Sequence, residues 1–564
     1  MNYTWIFKQS PAKEIVTSLQ KELNISETIA TLLAQRGITT FDEAKLFFRP
    51  SLGDLHDPFL MKDMEKAVQR IQKAIENQEN ILIYGDYDVD GTTAVSLMYL
   101  FLKQFTHNIA FYIPDRYSEG YGISFQGIDY AFDNGFSLII ALDCGIKAID
   151  KVAYSNEKGI DFIICDHHLP SEVIPDAVAI LNPKQVDCSY PYKELCGCGV
   201  GFKLIQALNA GWGYTFEEIL PFLDLVATAI AADIVPLTGE NRVLMYFGLQ
   251  VLNENPRNGL KSLLAVDKPV QVSDVVFRLA PRINAAGRIE HGKFAVKLLT
   301  EIDENKAIEK AKTIEIFNTE RKDLDQTIAN EALNQIKKNN EENRFTTVVY
   351  DPSWHKGVIG IVASRLIETY YRPTLVFTKS GDKYAASARS VSGFDVYEAL
   401  EQCAEYIEQF GGHKYAAGLT LLPEKYTLFK EKFEQVVSQT IAPELLEPKI
   451  TIDTMLPLEW ITDKMFHIIK QFEPFGPQNM TPIFYAENVI DTGVAKIIGK
   501  DEKHLRLTLK ELGGNQFFTA TAFNMGHLLS FIKQGIPFKI AYSIEENFWN
   551  GKSYLQLIIR DIKF

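Results

Sequence analysis

Three apolar runs in this chain each end on an aspartate: ILIYGD at Asp86, FSLIIALD at Asp143 and DFIICD at Asp166. Together with IAFYIP and AVAILNP they form a series of short β-type runs between residues 81 and 183, separated by helix-length segments such as TTAVSLMYLFLKQF. Near-continuous apolar runs suit strands covered on both faces. Strands alternating with helices predict an α/β, doubly wound, mainly parallel sheet. Ligands of such sheets sit beyond the carboxyl ends of the strands, which is where these aspartates fall.

The rest of the chain divides around that sheet. Residues 1–62 mix short helical patterns with the stretch RPSLGDLHDPFL and read as an N-terminal docking arm. Residues 63–300 hold the parallel-sheet domain, closed by the apolar helix LPFLDLVATAIAADIV. Residues 301–340 are rich in Glu, Lys and Asn, too polar for a core helix, and read as a long solvated connector helix. Residues 341–445 form a second, smaller α/β unit. Residues 446–564 carry six short β runs with turn signals, among them an Asn550-Gly551 hairpin signal, and predict a small OB-like β-barrel.

Composition narrows the class. With 46% hydrophobic and 23% charged residues the chain is of ordinary globular make-up. No apolar run approaches the ~20 residues that span a bilayer. The start, MNYTWIFKQSPAKE, lacks the pattern of a signal peptide, and six cysteines make no disulfide framework, so a reduced cytoplasm is expected. The net charge of -14 means that a polyanionic substrate must be held by local cations, metal ions or backbone amides.

The strongest chemical signal is ILIYGDYDVDGTTA. Asp86, Asp88 and Asp90 stand at i, i+2 and i+4, which in an extended segment projects three carboxylates to one side. They repel unless cations neutralise them. Gly91 allows a turn, and Thr92-Thr93 can cap the next helix. An EF-hand is excluded by the flanking strand and the missing Glu at loop position twelve. Asp143, the Asp166-His167-His168 triplet and Asp233 in AIAADIVPL add carboxylates and imidazole at the same edge. Asp166 suits the orienting of an imidazole. Oxygen-rich donors with imidazole suit two divalent ions of the Mn²⁺ or Mg²⁺ kind, which would activate water for attack on a phosphoester. Cys196 and Cys198 form a lone C-x-C and read as a turn near this edge.

In order, DYDVDG, ALDCG, the D-H-H triplet and AADIVPL resemble the motifs of the DHH phosphoesterase superfamily. PRINAAGRI and GGHKYAAGL resemble its RecJ branch, whose second domain is called DHHA1 and whose third is an OB domain. The resemblance covers about residues 50–564. It implies a 5′→3′ exonuclease specific for single-stranded DNA, acting in repair and recombination with two Mn²⁺ or Mg²⁺ ions. By resemblance, Asp86, Asp88, Asp90, Asp143, His167 and Asp233 are the metal ligands, and His168 touches the scissile phosphate. The partners expected are single-stranded DNA, a single-strand-binding protein and a helicase, with no membrane and a monomeric chain. Many relatives carry a His two residues before the first of these aspartates, where this chain has Tyr84.

Candidate strand-binding residues follow. Arg116, past a strand end and near Gly120 and Gly122, is a surface arginine or, by resemblance, lies near the entering DNA end. Arg282, Asn284 and Arg288 surround a small-residue turn in PRINAAGR. Gly357 and Gly360 open a helix whose N–H groups suit an anion. Ser387 and Arg389 share one side of an extended segment, and Gly411, Gly412 and His413 form a flexible turn; together these suit a terminal 5′ phosphate. Phe517, Phe548 and Trp549 either stack bases or belong to the barrel core.

Two rival readings stand beside the exonuclease. One is a DHH/DHHA1 phosphodiesterase acting on short oligonucleotides or cyclic dinucleotides, against which the C-terminal barrel argues. The other is a non-catalytic replication scaffold, against which the filled acidic and His positions argue.

Overall fold

The computed structural model describes residues 3–264, 268–549 and 552–564, arranged as two units, 51–446 and 1–50 with 447–564. In the first unit the parallel sheet has five strands in the order Ile109–Tyr112, Asn80–Gly85, Phe136–Leu142, Asp161–Cys165, Ala179–Leu181. Period-2 alternation assigns its two faces. Ile81, Ile83, Leu138, Ile140, Leu142 and Ile163 enter one apolar cluster with the helices Val89–Leu102, Gly197–Gly211 and Leu223–Ala232. Leu82, Tyr84, Ile139, Ala141, Phe162 and Ile164 enter the other, with the helices Phe125–Asp133 and Ile149–Glu157. The chain leaves Asn80–Gly85 toward one edge and returns on its other side at Phe136–Leu142. The strand order therefore reverses between these two, and a ligand crevice opens at their carboxyl ends. Asp86 and Asp143 are the residues that follow them.

The polar stretch after residue 300 is one helix, Glu304–Lys338, but it is less solvated than its composition predicts. A narrow stripe is buried. Ala307, Ala311 and Ile314 join the core of the parallel-sheet region, while Ile328, Ala329, Ala332 and Ile336 join a cluster under the second sheet. Small side chains at three- and four-residue spacing let a mostly charged helix be held along its length.

The second sheet has the order Gln409–His413, Ala416–Leu421, Lys383–Arg389, Thr374–Ser380, Thr347–Tyr350. Its last pair is parallel and the others antiparallel. Two segments expected as turns are regular. PRINAAGR lies in the helix Ala280–Ile289, entered through a π-helical turn at Val275–Leu279, with its proline directly after that turn. GGHKYAAG forms a hairpin of Gln409–His413 with Ala416–Leu421.

In the second unit, strands Thr454–Met455, Phe484–Asp491, Phe538–Trp549, Lys552–Lys563, Phe518–Ala522, His504–Glu511 and Lys496–Ile498 form one sheet. An added pairing of Phe484–Asp491 with His504–Glu511 partly closes it into a ring. Strand Thr4–Phe7 pairs in parallel with Lys449–Ile452. Ile29, Leu32 and Leu33 from the N-terminal helices share the barrel's core with Phe466, Phe472 and Leu507. Phe517 is exposed. The side chains of Phe548 and Trp549 and the Asn550-Gly551 turn lie outside the described residues. No described helix is long and apolar enough to cross a membrane.

Candidate metal centre

The DYDVDG segment is extended only at its start. Asp88 caps the helix Val89–Leu102 by accepting from the Gly91 N–H at 3.0 Å, so Asp90 already sits in the first helical turn. The period-2 projection of three carboxylates is thus replaced by a strand-to-helix bend, and the cap comes from Asp88 rather than from Thr92 or Thr93. Those hydroxyls donate instead to carbonyls one turn back.

A second helix start fixes Asp90. Its carboxylate accepts from the Gly197 N–H at 2.6 Å and the Cys198 N–H at 2.7 Å. Cys196 caps that helix. The donors are the orphan amides of a helix N-terminus, which also favours the negative charge. A Cβ at Gly197 would lie 2.5 Å from the Asp143 side chain, so the small residue permits the approach. The glycines of LCGCGVGF show that a close approach is made at this segment, but not to which residue.

His167 collects the remaining acids. Its Nε2 is 3.2 Å from Asp143 Oδ1, 3.7 Å from Asp233 Oδ2 and 3.8 Å from Asp90 Oδ2. Both His167 ring nitrogens, Asp143 Oδ1 and Asp86 Oδ2 are buried without a hydrogen-bond partner among the described residues. Two donor groupings of a kind that could hold a cation overlap here, Asp143-His167-His168 and Asp90-His167-Asp233. Unpaired buried carboxylates are costly. Burial, with the charge of neighbouring aspartates, accordingly pushes the Asp86, Asp90 and Asp143 carboxyls up, and that of Asp233 to about 8. Burial pushes His167 down, toward the neutral form that binds metals.

Asp166 has a different role. It accepts from the N–H groups of Ile146, His167 and His168 and from His168 Nδ1 at 2.7 Å. Against the cost of burial, the His168 contacts hold its carboxyl at about 2 and, in return, raise His168. His168 presents Nε2 to the Tyr121 hydroxyl at 3.2 Å. Tyr121 had no signal in the sequence beyond its glycine-flanked loop.

Beside this edge lies a group of arginines. Arg116 stacks over the Tyr87 ring, its guanidinium carbon 4.7 Å from the centroid. Arg288 Nη1 donates to the Gly357 carbonyl at 3.0 Å, and Tyr117 donates to the Arg288 carbonyl. Burial, together with the like charges of Arg116, Arg389 and Arg321, pushes Arg288 down to about 9. Arg389 Nη1 donates to Ser387 Oγ at 3.0 Å, and a Cβ at Gly360 would come within 2.9 Å of both side chains. The helix that carries Arg288 approaches the metal motif closely, since a Cβ at Gly287 would lie 2.8 Å from the Tyr87 carbonyl oxygen.

Other expected residues stand apart. Arg282 pairs with Glu315 on the long helix at 2.7 Å. Asn284 is half-buried on the helix of Arg288. Gly412 and His413 are exposed on the outer strand of the second sheet. His413 is level with Ala416 and Arg389 across the sheet, two strands or about 10 Å from Arg389.

A flavodoxin-like parallel sheet with acids and imidazole at its switch point, joined to a second mixed sheet, defines a DHH-class protein. The DHH family N-terminal domain matches residues 80–230, the DHHA1 domain residues 341–439 and the RecJ OB domain residues 452–561. The chain is 38% identical to the single-stranded-DNA-specific exonuclease RecJ of Bacillus subtilis, over 98% of this chain and 70% of that protein. It is 32% identical to RecJ of Escherichia coli, over 98% of each. The crystal structure of Thermus thermophilus RecJ in complex with Mn²⁺ superposes with a TM-score of 0.86 at 26% identity, covering 100% of this chain and 80% of that one. The chain belongs to the RecJ family of single-stranded-DNA-specific exonucleases.

Proposed function

We propose that this protein degrades single-stranded DNA from its 5′ end by hydrolysing phosphodiesters with two Mn²⁺ or Mg²⁺ ions. The reading is carried by His167 Nε2, which stands within 3.8 Å of three carboxylates with no hydrogen-bond partner among the described residues. Such an arrangement fits a cation and is otherwise unfavourable. Asp86, Asp88, Asp90, Asp143, His167 and Asp233 would hold the ions, with His167 common to the two groups of donors. When bound, the metals supply an activated water and neutralise charge building on the phosphate.

The chain's own residues do the rest. The amides of Gly197 and Cys198 fix Asp90, and Asp166 fixes the His168 ring so that Nε2 can donate to a phosphate oxygen. Arg116, Arg288 and Arg389, with Ser387, hold the terminal 5′ phosphate, and this sets the polarity. Asn284, Arg282, Gly412 and His413 are proposed to follow the strand farther out. The OB unit would carry the longer strand, with a helicase and a single-strand-binding protein as working partners of a monomeric, cytoplasmic repair and recombination enzyme. Single strands labelled at the 5′ or the 3′ end, incubated with Mn²⁺ and with EDTA, test this. Release from the 5′ end with Mn²⁺ alone is expected, and metal-independent or 3′-first release would overturn it.

A further inference from the structure

Asp233 ends the helix Leu223–Ala232, and the residue after it has an unusual backbone. Ile234 has φ of +59°, in the left-handed region that β-branched residues rarely adopt. Just past a helix end this conformation is normally given to glycine. Packing does not account for the isoleucine either. Val235 and Leu237 are buried, whereas Ile234 is 63% exposed. A strained backbone that carries an exposed aliphatic group is retained where that group has a task.

Its position suggests the task. Asp233 Oδ2 lies 3.7 Å from His167 Nε2, and the exposed Ile234 is the next residue along the chain, beside the carboxylate-imidazole group. We infer that Ile234 is an apolar shelf for the base of the nucleotide being removed, an assignment that rests on the exonuclease reading. Every base offers a flat apolar face, so such a shelf reads the presence of an unpaired base and not its identity. The left-handed backbone turns the side chain outward, where the usual glycine would present none.

Ile234→Gly and Ile234→Asn test this, since both residues tolerate the left-handed region. Each is assayed on 5′-phosphorylated strands whose terminal nucleotide either carries a base or is abasic. The wild type is expected to favour the base-bearing strand by about tenfold in kcat/KM, and both variants to lose most of that preference through KM. The glycine variant should also melt slightly higher, by about 1 °C, because the strain is relieved. The Mn²⁺ concentration for half-maximal activity should not move. Fluorescence anisotropy of the two strands in EDTA reads the shelf without turnover, so a wild type that cleaves nothing would defeat the exonuclease reading while still testing this one. Variants that keep the full preference for the base would overturn the proposal. So would a shifted Mn²⁺ requirement with unchanged strand affinity, which would mean that Ile234 only aims Asp233.

Discussion

His167 Nε2 lies 3.2 Å from Asp143 Oδ1, and both atoms are buried without a hydrogen-bond partner among the described residues. A neutral imidazole and a carboxylate that close, and otherwise unserved, call for a cation between them. Asp143 also has φ of +60°, which asparagine tolerates and alanine does not. Asp143→Asn is therefore the cleaner test of the centre. It should leave the protein folded and lower turnover of a labelled single strand by about a thousandfold or more. Near-normal turnover would remove Asp143 from the metal centre.

The same carboxylates predict how stability follows pH. Burial and mutual repulsion raise Asp86, Asp90, Asp143 and Asp233 above the unfolded value of about 3.9. The folded, metal-free protein thus binds protons that the unfolded chain releases. Each contribution is complete below about pH 4 and is lost as pH rises through that group's raised value, which for Asp233 is about 8. Bound cations take the place of those protons, so the stabilisation by Mn²⁺ should grow over the same window. Calorimetry in EDTA and in Mn²⁺ across this range checks it; a gap between the two that stays constant would contradict the raised carboxyls.

Arg389 gives a test of polarity. Its guanidinium is tied to Ser387 and lies near Arg116 and Arg288, a concentration of positive charge suited to a phosphate. A charge-assisted hydrogen bond is worth about 1.5–3 kcal/mol. Arg389→Ala should then raise KM for 5′-phosphorylated strands by roughly ten- to a hundredfold and change KM for 5′-hydroxyl strands much less. Equal losses on both would place Arg389 elsewhere along the strand.

Much of this was legible in the sequence because it rests on local pattern. Apolar runs ending in Asp86, Asp143 and Asp166 mark strand ends, and alternation of strands and helices gives the parallel sheet. What pattern could not supply is contact between distant segments. The hold of Gly197 and Cys198 on Asp90 joins residues more than a hundred apart, and nothing within DYDVDG announces it. The buried stripe of the long helix combines alanines and isoleucines with Asn318 and Asp325, and its apolar members are too sparse to outweigh the helix's charges. The three-aspartate segment read as extended because spacing alone does not show that Asp88 starts a helix.

Tyr84 shows what its position does in this chain. The side chain is buried on the face of the sheet opposite the cluster that contains Ile83. Its hydroxyl donates to the Gly122 carbonyl at 3.0 Å and accepts from the Ser124 N–H at 3.1 Å. The Gly122 N–H in turn faces Asp86 Oδ1 at 3.4 Å. Tyr84 therefore ties down the loop that carries Arg116 and Tyr121. Tyr84→Phe leaves buried polar groups unpaired and should cost about 1–3 kcal/mol of stability. It should also raise KM for single strands more than it lowers kcat. An unchanged KM would mean that the loop is held by other contacts.

The last prediction concerns where the chain can be cut. Residues 451–564 hold 12 basic and 12 acidic residues, so this part is formally neutral in a chain of net charge -14. It is the less repulsive surface for a long polyanion, and Phe517 is exposed on it. Removing only the C-terminal part would strand Ile29, Leu32 and Leu33, which share its core, and strip Thr4–Phe7 of its partner strand. Such a protein should aggregate. The matched cut leaves residues 51–446, which keep both other sheets, every carboxylate of the centre and the arginines beside it. That fragment should cleave very short oligonucleotides at near the full chain's rate and bind long strands more weakly. The difference in affinity should narrow as salt rises, because part of what is lost is ionic. Titration of strands of increasing length by fluorescence anisotropy, at low and high salt, measures it. If the fragment binds long strands as tightly as the full chain, residues 447–564 dock a protein and the stacking role of the barrel fails.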